Sequence, residues 1–168
     1  MSTTAAQKSF VISRTFSAPR EIVFDAFAKP DEIRKWWGPK GFTMLVSKMD
    51  FRVGGTYHYG MRAPDGTPMW GRFVYREIVR PERIVFVNSF SDENGGVARH
   101  PMALDWPLQM ITTFTFEDLG GGKTRFTTTS MPLDATEAEC AVFDSNHDSM
   151  THGWTGTLDQ LETHLAQA

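Results

Sequence analysis

Beyond Pro132 the apolar residues stop alternating and take up a helical spacing, which constrains the fold more than any other feature of the sequence. Cys140, Phe143, His147, Met150, Trp154, Leu158, Leu161 and Leu165 step by three or four residues along a single stripe. Thr136 followed by Glu139 supplies a capping box at the start. Gly153 and Gly156 flank Trp154, each costing about 1 kcal/mol of helix propensity; they either allow a close approach or mark a kink. A helix with one apolar face must bury it, so the preceding residues have to supply a matching apolar surface.

That surface reads as a sheet. Phe10 to Phe16 is β-branched and aromatic and predicts a first strand. Ser17, Pro19 and Glu21 then announce a helix, capped by Ser17, whose apolar face is Ile22, Val23, Ala26 and Phe27. Lys29-Pro30-Asp31 breaks it, and a second short helix runs toward Trp36-Trp37 before Gly38-Pro39. Strands follow over Phe42–Asp50, from Tyr57, over Met69–Val79, Arg83–Phe90, Leu108–Glu117 and Thr124–Met131. The punctuation between them is strong: Val53-Gly54-Gly55, Ala63-Pro64-Asp65-Gly66, Arg80-Pro81 and Gly120-Gly121-Gly122. Only Ser91–Pro107 lacks a period, and a loop of that length in a compact domain is often functional. The order predicts an α+β fold: a curved antiparallel sheet of about seven strands around a long C-terminal helix. Residues 1–9 read as a disordered tail and 10–168 as one domain.

Composition narrows the function classes. A net charge of -3 without a Lys/Arg cluster speaks against a nucleic-acid surface. A lone cysteine, Cys140, rules out an intramolecular disulfide framework and a cysteine-rich metal site. No apolar run resembles a signal peptide or a bilayer span, so the expectation is a cytoplasmic protein without a membrane partner. A homodimer is compatible with the sequence but not demanded by it. The 5 Trp, 13 Phe and 9 Met fill a core or line an adaptable apolar pocket.

Several blocks lie in register with a known family over almost the whole chain. Arg14-Thr15-Phe16-Ser17-Ala18-Pro19, Trp36-Trp37-Gly38-Pro39 and Val53-Gly54-Gly55-Thr56-Tyr57 are three of them. Met61 to Gly66, Arg80-Pro81-Glu82-Arg83-Ile84, and Gly153-Trp154 with Leu158-Asp159-Gln160-Leu161 complete the set. Together they resemble the activator of heat-shock protein 90 ATPase homologue branch of the START-like (SRPBCC) superfamily. The resemblance implies a helix-grip fold with an apolar cavity between sheet and helix. The superfamily includes carriers, hormone-binding proteins, cyclases and an oxygenase domain, so the fold alone does not choose among them. The eukaryotic co-chaperones carry a further N-terminal domain for which 168 residues leave no room, which weakens the expectation of a chaperone partner.

On this reading the expected pocket comprises Trp36 or Trp37, then Tyr57, Tyr59, Phe73 and Tyr75 on neighbouring strands, and Phe143, His147, Met150 and Trp154 on the helix. Tyr57, Tyr59 and Met61 share one strand face, as do Gly71, Phe73 and Tyr75. Phe73 stands where relatives often carry glycine and is expected to shrink the cavity; in the alternative, it belongs to a filled core. His147 is either a satisfied core histidine or a polar anchor. Asp105-Trp106-Pro107 and His100 form a lid or a plain surface loop. Asp144, His147 and His152 have the spacing of a non-haem iron motif, but residues five apart on a regular helix point about 140° apart. No metal and no cofactor are expected, and no hydrolase motif is present. The expected function is binding of a small hydrophobic or aromatic molecule. The alternatives are a cyclase- or dehydratase-like enzyme, with His147 or a tyrosine as general acid–base, and a co-chaperone-like interaction module.

Overall fold

A computed structural model describes residues 9–100 and 103–167. Positions 1–8 of the expected tail and 101–102 of the long loop lie outside the described residues. The element order is β1 (Phe10–Phe16), α1 (Arg20–Ala28), α2 (Pro30–Ile33), β2 (Thr43–Met49), β3 (Thr56–Arg62), β4 (Pro68–Val79) and β5 (Arg83–Ser91). It continues with β6 (Val97–Ala98), β7 (Met110–Gly120), β8 (Lys123–Pro132), α3 (Glu137–Ser145) and α4 (His147–Ala166).

The strands form one antiparallel sheet in the order β1-β8-β7-β5-β4-β3-β2, with the two-residue β6 attached to β5 inside the long loop. Register shifts between Met44 and Val46, Tyr75 and Glu77, and Asp118 and Gly120 add local bends to this sheet. The helices pack on its inner face, giving the α+β helix-grip architecture. Phe24 and Phe27 of α1, Phe114 and Phe116 of β7, Phe126 of β8, and Leu158 and Leu161 of α4 are buried together as the packed half of the core. Burying each such side chain contributes about 1.5–3 kcal/mol. No helix of the described residues is long and apolar enough to cross a membrane.

Three local expectations are corrected. Ser17 does not cap α1: the N-cap is Pro19, without a side-chain hydrogen bond, and its extended backbone leads directly into the first turn. The second helix is shorter than expected, with α2 ending at Ile33 and turns carrying the chain to Trp36. The long C-terminal helix is two helices. α3 starts with the expected Thr136–Glu139 capping box, then stops at Asn146, whose backbone leaves helical geometry at φ -108, ψ 14 and whose Nδ2 donates to Val142 O at 2.7 Å. α4 runs unbroken past Gly153 and Gly156, so neither glycine marks a kink.

Candidate functional site

Side chains of a strand alternate between faces, so the register decides which of them share the inner face. Tyr57, Phe73, Asn88 and Met110 stand opposite one another across β3, β4, β5 and β7. Beside them run Tyr75, Phe86, Thr112 and Ser130, across β4, β5, β7 and β8. Where α4 carries Leu158 and Leu161, this face is filled. Where it carries Met150 and Gly153, it is not. There a cavity of about 430 Å³ lies between sheet and helix, within the size range of small-molecule sites.

Aromatic rings make a large part of its wall. Phe73 stacks on Phe86 with ring centroids 4.0 Å apart. Trp37 stands edge-on to Tyr59, Phe73 and Trp154, with centroids at 5.6, 5.5 and 5.7 Å. Tyr59 lies across the neighbouring strand, and a Cβ at Gly71 would come within 2.3 Å of its ring and hydroxyl, so glycine is needed there for the ring to lie flat. Gly153 does the opposite job: a Cβ added there meets nothing within 4 Å, so its missing side chain enlarges the cavity. From the long loop, His100, Ala103 and Trp106 join the lining, while Arg99 binds Glu139 of α3 and ties the loop to the helical layer.

The polar groups are few. Thr112 Oγ1 donates to Asn88 Oδ1 at 2.7 Å and lies 2.8 Å from Ser130 Oγ. Asn146 and Ser149 add polarity on the helical side. The Trp37 indole N–H is buried beside the Tyr59 hydroxyl without a well-formed hydrogen bond. Burial pushes the Tyr59 phenol up to about 12, an effect the Trp37 N–H only partly offsets. Burial likewise pushes the His100 imidazole down, which favours its neutral form.

Of the expected pocket residues, Trp37, Tyr59, Phe73, Met150 and Trp154 line the cavity. The other five do not. Trp36 faces the packed core, its Nε1 donating to Ala26 O at 3.0 Å and its ring 4.7 Å from Phe27. Tyr57 sits deeper along the sheet, its hydroxyl 3.0 Å from Ser47 Oγ, and Tyr75 packs against Phe51 at 4.9 Å. Burial raises both phenols well above the usual tyrosine range. Phe143 is fully buried between Trp106 and His147. His147 is wedged between Phe10 and Phe143, and its buried Nε2 makes no hydrogen bond, lying 4.0 Å from Asp144 Oδ1.

His152 is exposed, and among the described residues no group of three or more His, Cys, Asp or Glu side chains is placed to hold a metal ion. Cys140 lies on α3 away from the cavity, its thiol pushed up by burial and by the carboxylates around it, which disfavours the reactive thiolate. Thr112 and Ser130 were missed because β7 and β8 are threonine- and serine-rich on both faces, so alternation does not distinguish inside from outside; Asn88 was missed because it follows an unbroken apolar run in β5.

A family profile described as Activator of Hsp90 ATPase homolog 1-like protein matches residues 17–166. The chain belongs to this family. The helix-grip architecture of this AHSA1-like chain recurs in solved structures. A protein from Arthrobacter aurescens is 27% identical with a TM-score of 0.76, the match covering 96% of this chain and 88% of that one. A protein from Mycobacterium smegmatis is 25% identical with a TM-score of 0.75, over 94% of this chain and 90% of that one. An AHSA1 protein from Silicibacter pomeroyi, 18% identical with a TM-score of 0.72 over 95% of this chain and 99% of that one, shares the fold. No curated protein matches the AHSA1-like chain.

Proposed function

We propose that the protein is a cytoplasmic binder of a small hydrophobic or aromatic molecule, held in the cavity between the sheet and α4. The observation that carries this reading is the aromatic void itself. Trp37, Tyr59, Phe73, Phe86 and Trp154 surround space that one more side chain at Gly153 would have filled. Interiors are otherwise packed without voids of this size, and an unfilled one loses dispersion contacts on every wall. A ligand restores those contacts, at about 2.5 kcal/mol per 100 Å² of apolar surface buried, before the cost of association.

The cyclase-like alternative loses His147, which lies outside the lining, and keeps only Tyr59, whose phenol is held protonated by burial. A co-chaperone role, which the family's description brings to mind, would need an apolar docking face. Among the described residues the large exposed apolar ones, such as Val11, Leu45, Val53, Val97 and Leu104, fall on separate strands and loops, which does not favour that reading.

Native mass spectrometry of protein purified from its own host, followed by denaturation, should release a stoichiometric small apolar molecule. Gly153→Phe, which places a ring in the void, should fold and lose that molecule. An empty protein, together with no thermal shift across a panel of lipids and aromatics, would refute the reading.

A further inference from the structure

The hydrogen bonds at the sheet end of the cavity have a direction. The Thr112 hydroxyl has one proton, and it goes to Asn88 Oδ1 at 2.7 Å. In the 2.8 Å contact with Ser130 Oγ, Thr112 is therefore the acceptor and Ser130 the donor. The chain runs Ser130 to Thr112 to Asn88 and ends on the amide oxygen. Neither Nδ2 proton of Asn88 is used by this chain of hydroxyls, and Asn88 lines the cavity. The Nε1–H of Trp37, a residue that follows the turn after α2, is buried without a well-formed hydrogen bond and is also purely a donor.

Charge narrows the match. No Asp, Glu, Lys or Arg appears among the lining residues. His100 also lines the cavity, and burial favours its neutral form. An ionised ligand would lose its hydration without gaining a charged partner, a loss that far exceeds what one neutral hydrogen bond returns. The aromatic walls alone could attract a cation, but the Asn88 amide nitrogen and the Trp37 indole N–H are donors and present their positive ends to it.

Building on the binding function proposed above, we infer that the ligand is an uncharged aromatic molecule bearing a hydrogen-bond acceptor, such as a ketone or ester carbonyl, held by the Asn88 side-chain amide. Thr112 is the positioning residue: its hydroxyl donates to the amide oxygen, which leaves the amide nitrogen for the ligand. The rings of Trp37, Phe73 and Trp154 hold the apolar body.

The test uses four probes of similar size on the purified protein, by calorimetry and tryptophan fluorescence: naphthalene, acetylnaphthalene, naphthoate and naphthylmethylammonium. Acetylnaphthalene should bind tightest, about 2- to 10-fold above naphthalene, the range for one net neutral hydrogen bond. Both ions should bind at least about tenfold more weakly than naphthalene. Asn88→Asp keeps an oxygen for Thr112 and removes the donors, so it should abolish the ketone's advantage. Asn88→Leu, which adds no charge, should do the same while naphthalene binding persists and reports an intact fold. Naphthoate or the ammonium binding first, or a ketone advantage that survives both variants, overturns this inference and leaves the binding reading standing. Failure of all four probes overturns this inference, and the binding reading falls with it when the protein from its own host is also empty and the lipid and aromatic panel gives no thermal shift.

Discussion

Raising the pH should unfold this protein through its tyrosines. The chain has three, Tyr57, Tyr59 and Tyr75, and all lie on the inner face of the sheet with their phenols pushed up by burial. Below the unfolded-state value near 10, the phenols are protonated in both states and this contribution to stability is complete. Above it, the unfolded chain releases protons that the folded chain retains, so stability falls as pH rises until the folded value is passed. For Tyr59 that window runs from 10 to about 12, and about 1.4 kcal/mol per pH unit makes its loss roughly 3 kcal/mol. Tyr57 and Tyr75, shifted in the same direction, extend the loss beyond the end of that window. The total is comparable with the roughly 5–15 kcal/mol that holds a domain folded. Tyrosinate absorbance and far-ultraviolet circular dichroism, recorded on the same samples, should therefore change together in one cooperative step. Tyr59→Phe should move that step to higher pH. A tyrosinate signal rising near pH 10 while the dichroism stays native would refute the reasoning, because it would place at least one phenol in water.

Other consequences follow from individual contacts. Gly153→Ala adds a methyl group to open space and should stabilise the protein by up to about 1 kcal/mol, read as a melting temperature raised by about 2–4 °C. Phe73→Ala removes a ring stacked on Phe86 and should cost about 3–5 kcal/mol in denaturant unfolding while enlarging the cavity. Trp36→Phe leaves Ala26 O without its side-chain donor and should cost about 1–3 kcal/mol without changing ligand affinity.

The strands were legible because half-buried sheets alternate, and turns such as Asp65-Gly66 and Gly121-Gly122 punctuate them. The helical break was not. Phe143 to His147 is a normal four-residue step, so the apolar stripe passes over Asn146 without interruption; only asparagine's taste for helix ends gave a hint. The site was half legible for a related reason. Period two puts Tyr57 and Tyr59 on one face, but it says nothing of distance along the sheet. That distance separates a tyrosine bonded to Ser47 from one beside Trp37. Asn88, Thr112 and Ser130 come together only through the pairing of β5, β7 and β8, which no local pattern encodes.

The wall that completes the cavity is also the last part of the fold to be made. Met150, Gly153, Trp154 and Thr157 belong to α4, which follows every strand in the chain. A nascent chain can pair all of its strands and still present the face bearing Phe73, Phe86 and Trp37 to the cell. Until α4 emerges and docks, that face is a sticky aromatic surface exposed to other chains. Were the proposed ligand to bridge sheet and helix, it would bind only once α4 has docked and would act on newly made molecules as a folding clamp, drawing the chain past its most aggregation-prone stage.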